Sequence, residues 1–464
     1  MRYTLTLLEK QSEQLNSHFF DGSSERLERA AYLLCGISQT EHETRLIVRE
    51  VLPVPDEALL EQSTTQLSIP AESFLPILKR ADREHACFVL VHSHPPDVPG
   101  HSGQDDTEER KLFRAAYNRI EDSHLVHASI VASNPNQFRG RVWLDGGRIE
   151  PIEMIRVLGG RFRFFPRNGF DRNIDTSFHD REIRAFGSDI LPLLKGLTVG
   201  VVGAGGTGSP VIEQLIRLGV GQLIVADGQV LDRSNVSRVY GSQVDLVGRP
   251  KPTLMYRLAK NIGLGTSVEM VDKPITFASA LKRFRDCDVI FGCTDDFWGR
   301  SLLTRFAIDY CIPVIDLGVK IDSIDGVIRA VPGRVTILMP GNPCLYCRGQ
   351  ITAQDVSEQI MNDLDPEEAA RQRREGYLPE LPGAEPAVVP FTTATAAFAV
   401  MEFLNRLTGF QGNDYSISEF VVRYDDMAIR KPGAKADADC FCSNATLIGK
   451  GDQQRFLDQT WRPE

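Results

Sequence analysis

Residues 197–227 have the sequence LTVGVVGAGGTGSPVIEQLIRLGVGQLIVAD, in which a strand, a glycine-rich loop, an amphipathic helix and a second strand follow one another. Gly203, Gly205 and Gly208 permit a tight turn, and free N–H groups at the helix start face an anion. Asp227 ends the second strand, where a carboxylate can bind ribose hydroxyls. This segment predicts a nucleotide site, although nicotinamide-dependent oxidoreductases share the pattern.

The same alternation of strands and helices extends outward from about residue 187. The apolar runs DVIFGCTD at 288–295 and IPVIDLG at 312–318 belong to a pattern of short strands and longer helices, which is typical of a parallel sheet. A helix is predicted at 392–409, with a short strand after it. The charged, proline-interrupted segment 355–386 predicts a mobile loop.

Four polar residues distinguish adenylyl transfer from hydride transfer. Asn235, Arg238 and Lys251 follow the second strand, and Asp295 lies in the later run CTDD. An enzyme that releases pyrophosphate needs cations to stabilise the developing charge, and a carboxylate can hold Mg²⁺. For a single Arg or Lys taken alone, a solvated surface charge is the commoner explanation. Together they favour a site for ATP and Mg²⁺.

The run VHSHPPDVPGHSGQDD, residues 91–106, follows an apolar strand and contains metal-ligating residue types. His92 and His94 are two residues apart, so both rings lie on one face of an extended strand. Asp105 supplies a third ligand and leaves a fourth position for water, as hydrolytic zinc requires. Glu28 is the candidate proton shuttle. The alternative is that the two histidines only end a strand.

The length of 464 residues predicts two or three domains, since domains average about 150 residues. Residues 156–186 are rich in Arg and Phe and are predicted to be a linker. Residues 187–464 form the nucleotide-binding domain. Residues 1–155 form a separate domain with a helix-like start at 23–37 and strands at 43–54, 86–92, 127–133 and 140–147.

Composition limits the classes of function. The chain has 52 Lys and Arg against 62 Asp and Glu, and the net charge of −10 argues against binding the nucleic-acid backbone. No apolar run approaches the roughly 18 residues that span a bilayer, and the first residues lack a basic-then-apolar leader. Nine cysteines in mostly apolar surroundings favour a reducing compartment. These features predict a cytoplasmic protein without nucleic-acid or membrane partners.

Two close cysteine pairs, Cys344–Cys347 and Cys440–Cys442, lie in the last third of the chain. Such pairs predict a structural Cys₄ zinc site, and a redox-active CxxC is the alternative for the first pair. The other five cysteines lie in apolar runs and are predicted to be buried in the core. These five are Cys35, Cys87, Cys287, Cys293 and Cys311.

The sequence HSHP, followed by six residues and SGQD, resembles the JAB/JAMM metalloisopeptidase signature. The resemblance implies zinc on the two histidines and the aspartate, with Ser102 stabilising an oxyanion and an upstream glutamate acting as general acid/base. That glutamate usually lies seven residues before a glycine, whereas Glu28 lies eight before Gly36. Glu25 and Glu50 match less well.

Residues 178–445 resemble the ubiquitin-activating-enzyme superfamily, which includes the adenylyltransferases of molybdopterin and thiamine sulfur carriers. The implied fold is a JAB/JAMM-type α/β metallopeptidase domain followed by a Rossmann-like, ThiF-type adenylyltransferase domain with a mixed, mainly parallel sheet. The resemblance implies that ATP and Mg²⁺ contact the glycine loop Gly203, Gly205, Gly206 and Gly208, ribose-binding Asp227, the pair Asn235 and Arg238, phosphate-binding Lys251 and Mg²⁺-associated Asp295.

Two features depart from this second family pattern, and one further motif resembles it. The family often has a second aspartate where this chain has Gln229, and its second cysteine pair is usually CxxC rather than CxC. The motif HDREI resembles one whose arginine enters a partner subunit's ATP site, which makes Arg181 a candidate trans-acting residue in a homodimer. An arginine in a basic linker is the alternative for Arg181.

No cysteine lies between 348 and 439, a range that includes the crossover loop at about 350–390 where thioester-forming relatives place their nucleophile. Glu385, Thr392 and Thr393 occur there instead. The enzyme therefore stops at the acyl-adenylate, forms an oxyester, or passes the acyl group to a partner's nucleophile. A hydroxyl needs an activating base, and the sequence places no histidine beside these threonines, which are expected to cap the last helix.

The two resemblances together predict a bifunctional enzyme of a bacterial-type ubiquitin-like pathway. Zinc-dependent cleavage after a modifier's C-terminal glycine would expose a carboxylate, which ATP-dependent adenylation would activate for transfer to a conjugating enzyme or target. Fusing the two activities raises the local concentration of processed modifier. The alternatives are a sulfur-carrier adenylyltransferase for cofactor biosynthesis and a modifier-binding scaffold with an inactive peptidase domain.

Overall fold

The structure, a computed structural model, describes residues 1–20, 27–64, 66–135, 137–375, 378, 386–412, 417–452 and 455–464. Its contacts divide the chain into two compact units. The first unit comprises Met1–Gly169, Asp309–Cys311 and Ala445–Gln454, and the second comprises Phe170–Ile308, Ile312–Asn444 and Arg455–Glu464. The division after Gly169 lies inside the predicted linker, whereas the sequence did not predict that 445–454 would group with the first unit.

Within its described residues, the first unit is a closed sheet with three α-helices. Its strands run in the order β1-β3-β2-β6-β7-β8-β9-β10, and β9 also pairs with β1, which closes the sheet. The strands are β1 (Arg2–Leu8), β2 (Ala30–Gln39), β3 (Glu43–Pro53), β4 (Glu61–Gln62), β5 (Leu67–Ser68), β6 (Cys87–Ser93), β7 (His127–Asn134), β8 (Gln137–Trp143), β9 (Ile149–Leu158) and β10 (Phe162–Pro166). Strands β4 and β5 form a separate two-stranded sheet. The helices are α1 (Glu9–Phe19), α2 (Ala71–Arg83) and α3 (Gly103–Arg119).

Strands β3, β6, β7 and β8 confirm the four predicted strands, but two other predictions for this region are wrong. The described part of the predicted helix at 23–37 contains the start of β2, whose first nine residues are all buried between β3 and β6. A short, continuous run of apolar residues has no periodicity that would distinguish a buried strand from a buried helix. The predicted linker begins inside β9 and contains β10, which pairs with β9.

The second unit has a mixed sheet in the order β13-β12-β11-β14-β15-β18-β19-β20. The first five strands are parallel and the last three antiparallel, so the predicted mixed, mainly parallel sheet is confirmed. The strands are β11 (Thr198–Val202), β12 (Gln222–Ala226), β13 (Ser267–Val271), β14 (Val289–Gly292), β15 (Val314–Val319), β16 (Asp322–Ile324), β17 (Val327–Ala330), β18 (Pro332–Leu338), β19 (Glu419–Arg423) and β20 (Ala428–Arg430). Strands β16 and β17 form a separate two-stranded sheet.

The helices of this unit connect the strands and cover the sheet. They are α4 (Asp180–Phe186), α5 (Ile190–Lys195), α6 (Gly208–Arg217), α7 (Lys251–Ile262), α8 (Ala278–Lys282), α9 (Phe297–Asp309), α10 (Ala353–Leu364), α11 (Pro366–Arg374) and α12 (Val389–Thr408). The connections from β11 lead to β12 and β13 on one side, and the chain then returns to β14 on the other side. Ligands of open α/β sheets bind at such a switch point, beyond the carboxyl ends of the strands.

The loop predicted at 355–386 is wrong over most of its described part, which forms α10 and α11. Thr352 caps α10, and its hydroxyl accepts a hydrogen bond from the N–H of Asp355. Asp365 caps α11, and Pro366 is the first helical residue rather than a helix breaker. Glu385 lies outside the described residues.

The predicted last helix is confirmed as α12, which has 20 residues and ends at Gly409 in the left-handed conformation. Thr392 and Thr393 do not cap this helix, because Val388 is the N-cap and both threonines lie in the second turn. Thr392 is buried and donates its hydroxyl proton to the carbonyl of Val389. Among the described helices, none is both long enough and apolar enough to cross a bilayer.

Candidate active sites

The predicted metal ligands of the first unit converge. His92 lies on β6 and His94 directly after it, and their Nε2 atoms are 3.1 Å apart. The two carboxylate oxygens of Asp105 lie 3.3 Å from the His92 Nε2 and 3.4 Å from the His94 Nε2. Both histidines are almost fully buried. The three side chains form one group of potential ligands.

These distances fit a tetrahedral zinc site. Zinc bonds of about 2.0–2.1 Å to nitrogen and oxygen place neighbouring ligand atoms about 3.3 Å apart. The 3.1 Å between the two nitrogens is close to this edge length, and so are the 3.3 and 3.4 Å from each nitrogen to a different oxygen of Asp105. Three protein ligands leave a fourth position for water, as in catalytic rather than structural zinc sites.

The N-terminus of α3 positions the third ligand. Ser102 is the N-cap, and its hydroxyl oxygen accepts a hydrogen bond from the N–H of Asp105 at 3.2 Å, while the Asp105 carboxylate accepts one from the Ser102 N–H. Burial opposes ionisation of Asp105, but hydrogen bonds from His92 and His94 outweigh it and lower its pKa. Asp105 is therefore ionised, and the capping hydrogen bonds at the start of α3 fix the orientation of its carboxylate.

Glu28 lies beside this group, in the segment before β2. Its Oε1 atom is 3.9 Å from the His94 Nε2, and the residue is only 6% exposed. Its backbone N–H donates to the carbonyl of Ser63. Burial raises the pKa of Glu28, which suits a proton shuttle. By contrast, Glu50 forms an ion pair with Arg80, and Glu25 lies outside the described residues.

A buried hydrogen-bond network around Glu109 lies next to the metal-ligand group, and the sequence did not predict it. Glu109 on α3 is 2% exposed and accepts hydrogen bonds from Trp143 Nε1 at 2.8 Å, from Arg141 Nε at 3.0 Å and from the Ser129 hydroxyl. Ser129 in turn bonds His101 Nε2 at 3.1 Å, one residue before Ser102. Glu109 follows Asp105 by four residues, so helical spacing was the available signal.

In the second unit, the glycine loop after β11 has the geometry that requires glycine. Gly203 has a φ of +91°, and a Cβ there would lie 2.8 Å from the carbonyl oxygen of Cys293. A Cβ on Gly208 would lie 1.8 Å from the carbonyl oxygen of Gly203. Neither position tolerates a side chain, so the tight turn requires glycine at both. No close neighbour restricts Gly205.

Asp227 and Lys251 lie together beside this loop. The carboxylate of Asp227 accepts hydrogen bonds from the N–H groups of Ala204 and Gln229, each at 2.8 Å. The Lys251 Nζ lies 3.8 Å from this carboxylate and donates to Gln229 Oε1 at 2.6 Å. Lys251 is only 5% exposed although it begins α7. The structure therefore brings a buried cation to the predicted ribose ligand.

Arg238 also borders the glycine loop. A Cβ on Gly206 would lie 3.2 Å from the Arg238 Cδ and 3.6 Å from a methyl group of Thr392. The Arg238 N–H donates to the carbonyl of Asn235 at 2.9 Å, so a short turn links these two predicted residues. The Thr393 hydroxyl lies 3.0 Å from that of Tyr240.

The remaining two predicted residues are exposed. Asp295 follows β14, whose carboxyl end lies beside that of β11, so it is at the same edge of the sheet as the glycine loop. Arg181 lies on the exposed face of α4. No contact described for this chain joins Arg181 to the glycine loop, Asp227 or Lys251.

The four predicted zinc thiols converge at the end of the second unit. Cys344 Sγ lies 3.7 Å from Cys347 Sγ and 3.6 Å from Cys440 Sγ, and Cys347 Sγ lies 3.6 Å from Cys442 Sγ. Zinc–sulfur bonds of about 2.3 Å place tetrahedral sulfurs about 3.8 Å apart, so the group fits zinc despite the CxC spacing. The other five cysteines are buried, as predicted: Cys35, Cys87, Cys287, Cys293 and Cys311.

Substitution of Cys344 by serine is expected to remove one zinc ion per chain and to lower the free energy of unfolding by at least about 3 kcal/mol, because a structural metal stabilises only the folded state. Metal analysis and denaturant unfolding measure the two effects. Asp439→Asn, an exposed change in the same loop, is the control and retains both. Unchanged zinc content in Cys344→Ser would leave the redox alternative.

The fold and these groups define a Rossmann-type nucleotide-binding unit joined to an α/β unit with a two-histidine, one-aspartate centre. The chain belongs to the ThiF family, whose family model matches residues 179–444. The model for prokaryotic homologs of the JAB domain matches residues 21–144. Both predicted resemblances are thereby confirmed.

Individual relatives match a smaller part of the chain. A Haloferax volcanii protein named SAMP-activating enzyme E1 is 33% identical over 147 residues, which are 32% of this chain and 51% of that protein. A Candida glabrata protein named adenylyltransferase and sulfurtransferase UBA4 is 31% identical over 156 residues, 33% of this chain and 34% of that protein. The chain thus matches about half or less of these relatives.

Solved structures of a biosynthetic enzyme, MccB, also align with part of this chain. A crystal structure of Escherichia coli MccB with ATP is 16% identical in sequence, with a TM-score of 0.44. The aligned region covers 61% of this chain and 77% of that chain. The second unit, with its parallel strands and glycine loop, is the Rossmann-type part of the present chain.

Proposed function

We propose that this chain adenylates the C-terminal carboxylate of a ubiquitin-like protein that ends in glycine and, at its first unit, cleaves proteins after that glycine. The observation that carries the adenylation is the buried Lys251 ammonium beside Asp227 and the glycine loop. Lys251 faces the Asp227 carboxylate at 3.8 Å, but its one described side-chain hydrogen bond goes to Gln229, so ammonium N–H donors remain for an anionic ligand. A triphosphate at the carboxyl edge of the sheet is such a ligand.

The residues divide the adenylation among them. Backbone N–H groups from Gly203 to Gly208 bind phosphate oxygens, Asp227 binds the ribose hydroxyls, and Asp295 holds Mg²⁺. The modifier's carboxylate oxygen forms a bond to the α-phosphorus while the bond from that phosphorus to the bridging oxygen breaks. Lys251 and Arg238 stabilise the charge on the departing pyrophosphate.

The first unit supplies the groups for peptide hydrolysis. His92, His94 and Asp105 would hold zinc, which supplies Lewis acidity that polarises a carbonyl and acidifies water. Glu28 accepts the proton from the attacking water and passes it to the leaving amine. The Ser102 hydroxyl accepts from an N–H and keeps its own O–H, which can donate to the developing oxyanion.

The proposal includes the oligomer and the acceptor. Arg181, exposed on α4, would contact the ATP site of a partner copy in a homodimer. The acyl-adenylate would pass to a conjugating enzyme or a target, because no cysteine lies between 348 and 439 to form a thioester. The relatives named as sulfurtransferases favour a second candidate, in which a sulfur-carrier protein is activated instead.

ATP–pyrophosphate exchange tests the adenylation. We expect exchange when the chain is given a ubiquitin-like protein that ends in glycine, and none with the same protein lacking that glycine. Absence of exchange with the intact protein contradicts the proposal. Transfer of the modifier to lysine favours conjugation, whereas conversion of its terminus to a thiocarboxylate favours the sulfur-carrier candidate.

Glu28→Gln is expected to lower cleavage of a modifier fusion by at least about 100-fold, because an amide cannot accept and return the proton. Zinc content should stay as in the wild type, since the three ligands remain. Glu50→Gln is the matched control and should cleave normally. Normal cleavage by Glu28→Gln together with loss of cleavage in Glu50→Gln would show that Glu50, and not Glu28, is the proton shuttle. Absence of cleavage by the wild type would favour the modifier-binding scaffold.

A further inference from the structure

Gln229 is hydrogen-bonded to Asp227 and to Lys251, the residues proposed to bind the ribose and the phosphates of ATP. Its backbone N–H donates to the Asp227 carboxylate at 2.8 Å, and its carbonyl accepts from the Lys251 N–H at 3.1 Å. Its side-chain Oε1 accepts from the Lys251 Nζ at 2.6 Å. A backbone bridge between Val230 and Pro250 runs alongside. Three hydrogen bonds therefore fix Gln229 between Asp227 and Lys251.

The burial of the two partners differs. Gln229 is exposed at the surface, whereas the Lys251 side chain is 6% exposed. An ammonium group has three N–H donors, and Gln229 occupies one of them. The Asp227 carboxylate is 3.8 Å from the same Nζ, beyond direct hydrogen-bonding distance. Lys251 thus keeps donors for a further anionic partner.

The chemistry of the amide matters because it is neutral. A carboxylate at the same distance from the ammonium would form an ion pair and compete with phosphate for its charge. An amide oxygen directs the ammonium without adding a second negative charge to that of Asp227, which lies 3.8 Å away. This is the position where the family resemblance implies a second aspartate in many members, so the chain departs from that pattern at the residue that contacts Lys251.

We propose that Gln229 is a positioning residue for the triphosphate, which holds the Lys251 ammonium toward the phosphates without neutralising it. This inference rests on the proposed function, since it requires ATP as the ligand. It assigns to Gln229 an effect on the charged part of the nucleotide and none on the ribose or base. Binding of ATP and of adenosine to the same variants separates these two effects.

The experiment uses the full chain and calorimetric titration with ATP plus Mg²⁺ and with adenosine. Gln229→Glu is expected to raise the Kd for ATP at least about tenfold and that for adenosine less than about twofold, because only the phosphates lose the Lys251 charge. Gln229→Ala should raise the Kd for ATP by about threefold, since the ammonium is no longer held. The KM for ATP should rise in parallel with this Kd, and the KM for the modifier should stay unchanged.

The exposed residue Gln243 provides the matched control, because Gln243→Glu adds the same charge at a residue that no described hydrogen bond or ion pair joins to Lys251. It should bind ATP as the wild type does. ATP binding within twofold of wild type in Gln229→Glu, or an equal loss for adenosine, overturns the inference. Failure of the wild type itself to bind ATP would instead contradict the proposed function.

Discussion

Replacement of Lys251 by alanine is expected to lower modifier-dependent ATP–pyrophosphate exchange by at least about 100-fold, the usual effect of removing one preorganised group that stabilises transition-state charge. Lys251 is buried, and its Nζ is held by Gln229 beside Asp227. In such a site water screens the charge poorly, so its interaction with phosphate is strong. Exchange of labelled pyrophosphate into ATP measures the effect.

Lys260→Ala is the matched control for this experiment. Lys260 lies on the same helix, α7, but is exposed, and its ammonium lies 5.4 Å from the centre of the Tyr256 ring. We expect it to exchange at the wild-type rate. Equal exchange by Lys251→Ala and the wild type would show that the buried cation serves the fold rather than the nucleotide.

His92→Ala is expected to abolish cleavage, by about 1000-fold or more, and to reduce the zinc content from two ions per chain to one. Loss of one of three protein ligands leaves only His94 and Asp105, too few to hold the metal in an open tetrahedral site. The Cys₄ group should keep its zinc, since its sulfurs are separate ligands. Metal analysis and cleavage of a modifier fusion measure the two results.

His124→Ala serves as the control, because His124 is exposed in the same unit. It should keep both zinc ions and full cleavage. ATP–pyrophosphate exchange should survive in His92→Ala when the modifier is supplied already processed, which separates the two proposed activities. Retained cleavage in His92→Ala would remove the basis for the first site.

Secondary structure was predictable where the local pattern had one interpretation. The strand, glycine loop and helix from Thr198 to Arg217 have a clear switch of period, and they are present as β11 and α6. The residues of β2 are apolar without period, so local sequence did not distinguish strand from helix. The prolines after α10 resembled loop signals, although Pro366 begins α11.

The ligand residues of the candidate sites were predictable from motifs, but most of the contacts around them were not. The spacing of His92, His94 and Asp105 was enough to propose zinc, because ligand type and spacing are local properties. The contact of Gln229 with Lys251, 22 residues later, was not predicted, whereas Glu28 was proposed as the proton shuttle and lies beside His94. These pairs meet only because separate strands and helices end at the same edge.

The sequence alone determined the two classes of domain, the ligand types and the absence of a crossover cysteine, since each depends on the identity and order of residues. Tertiary structure decided which of these groups meet. It buried Lys251, brought Glu28 to the histidines and joined Ser129 to Glu109. Distance and burial set the strength of charge interactions, and neither quantity exists before the chain has folded.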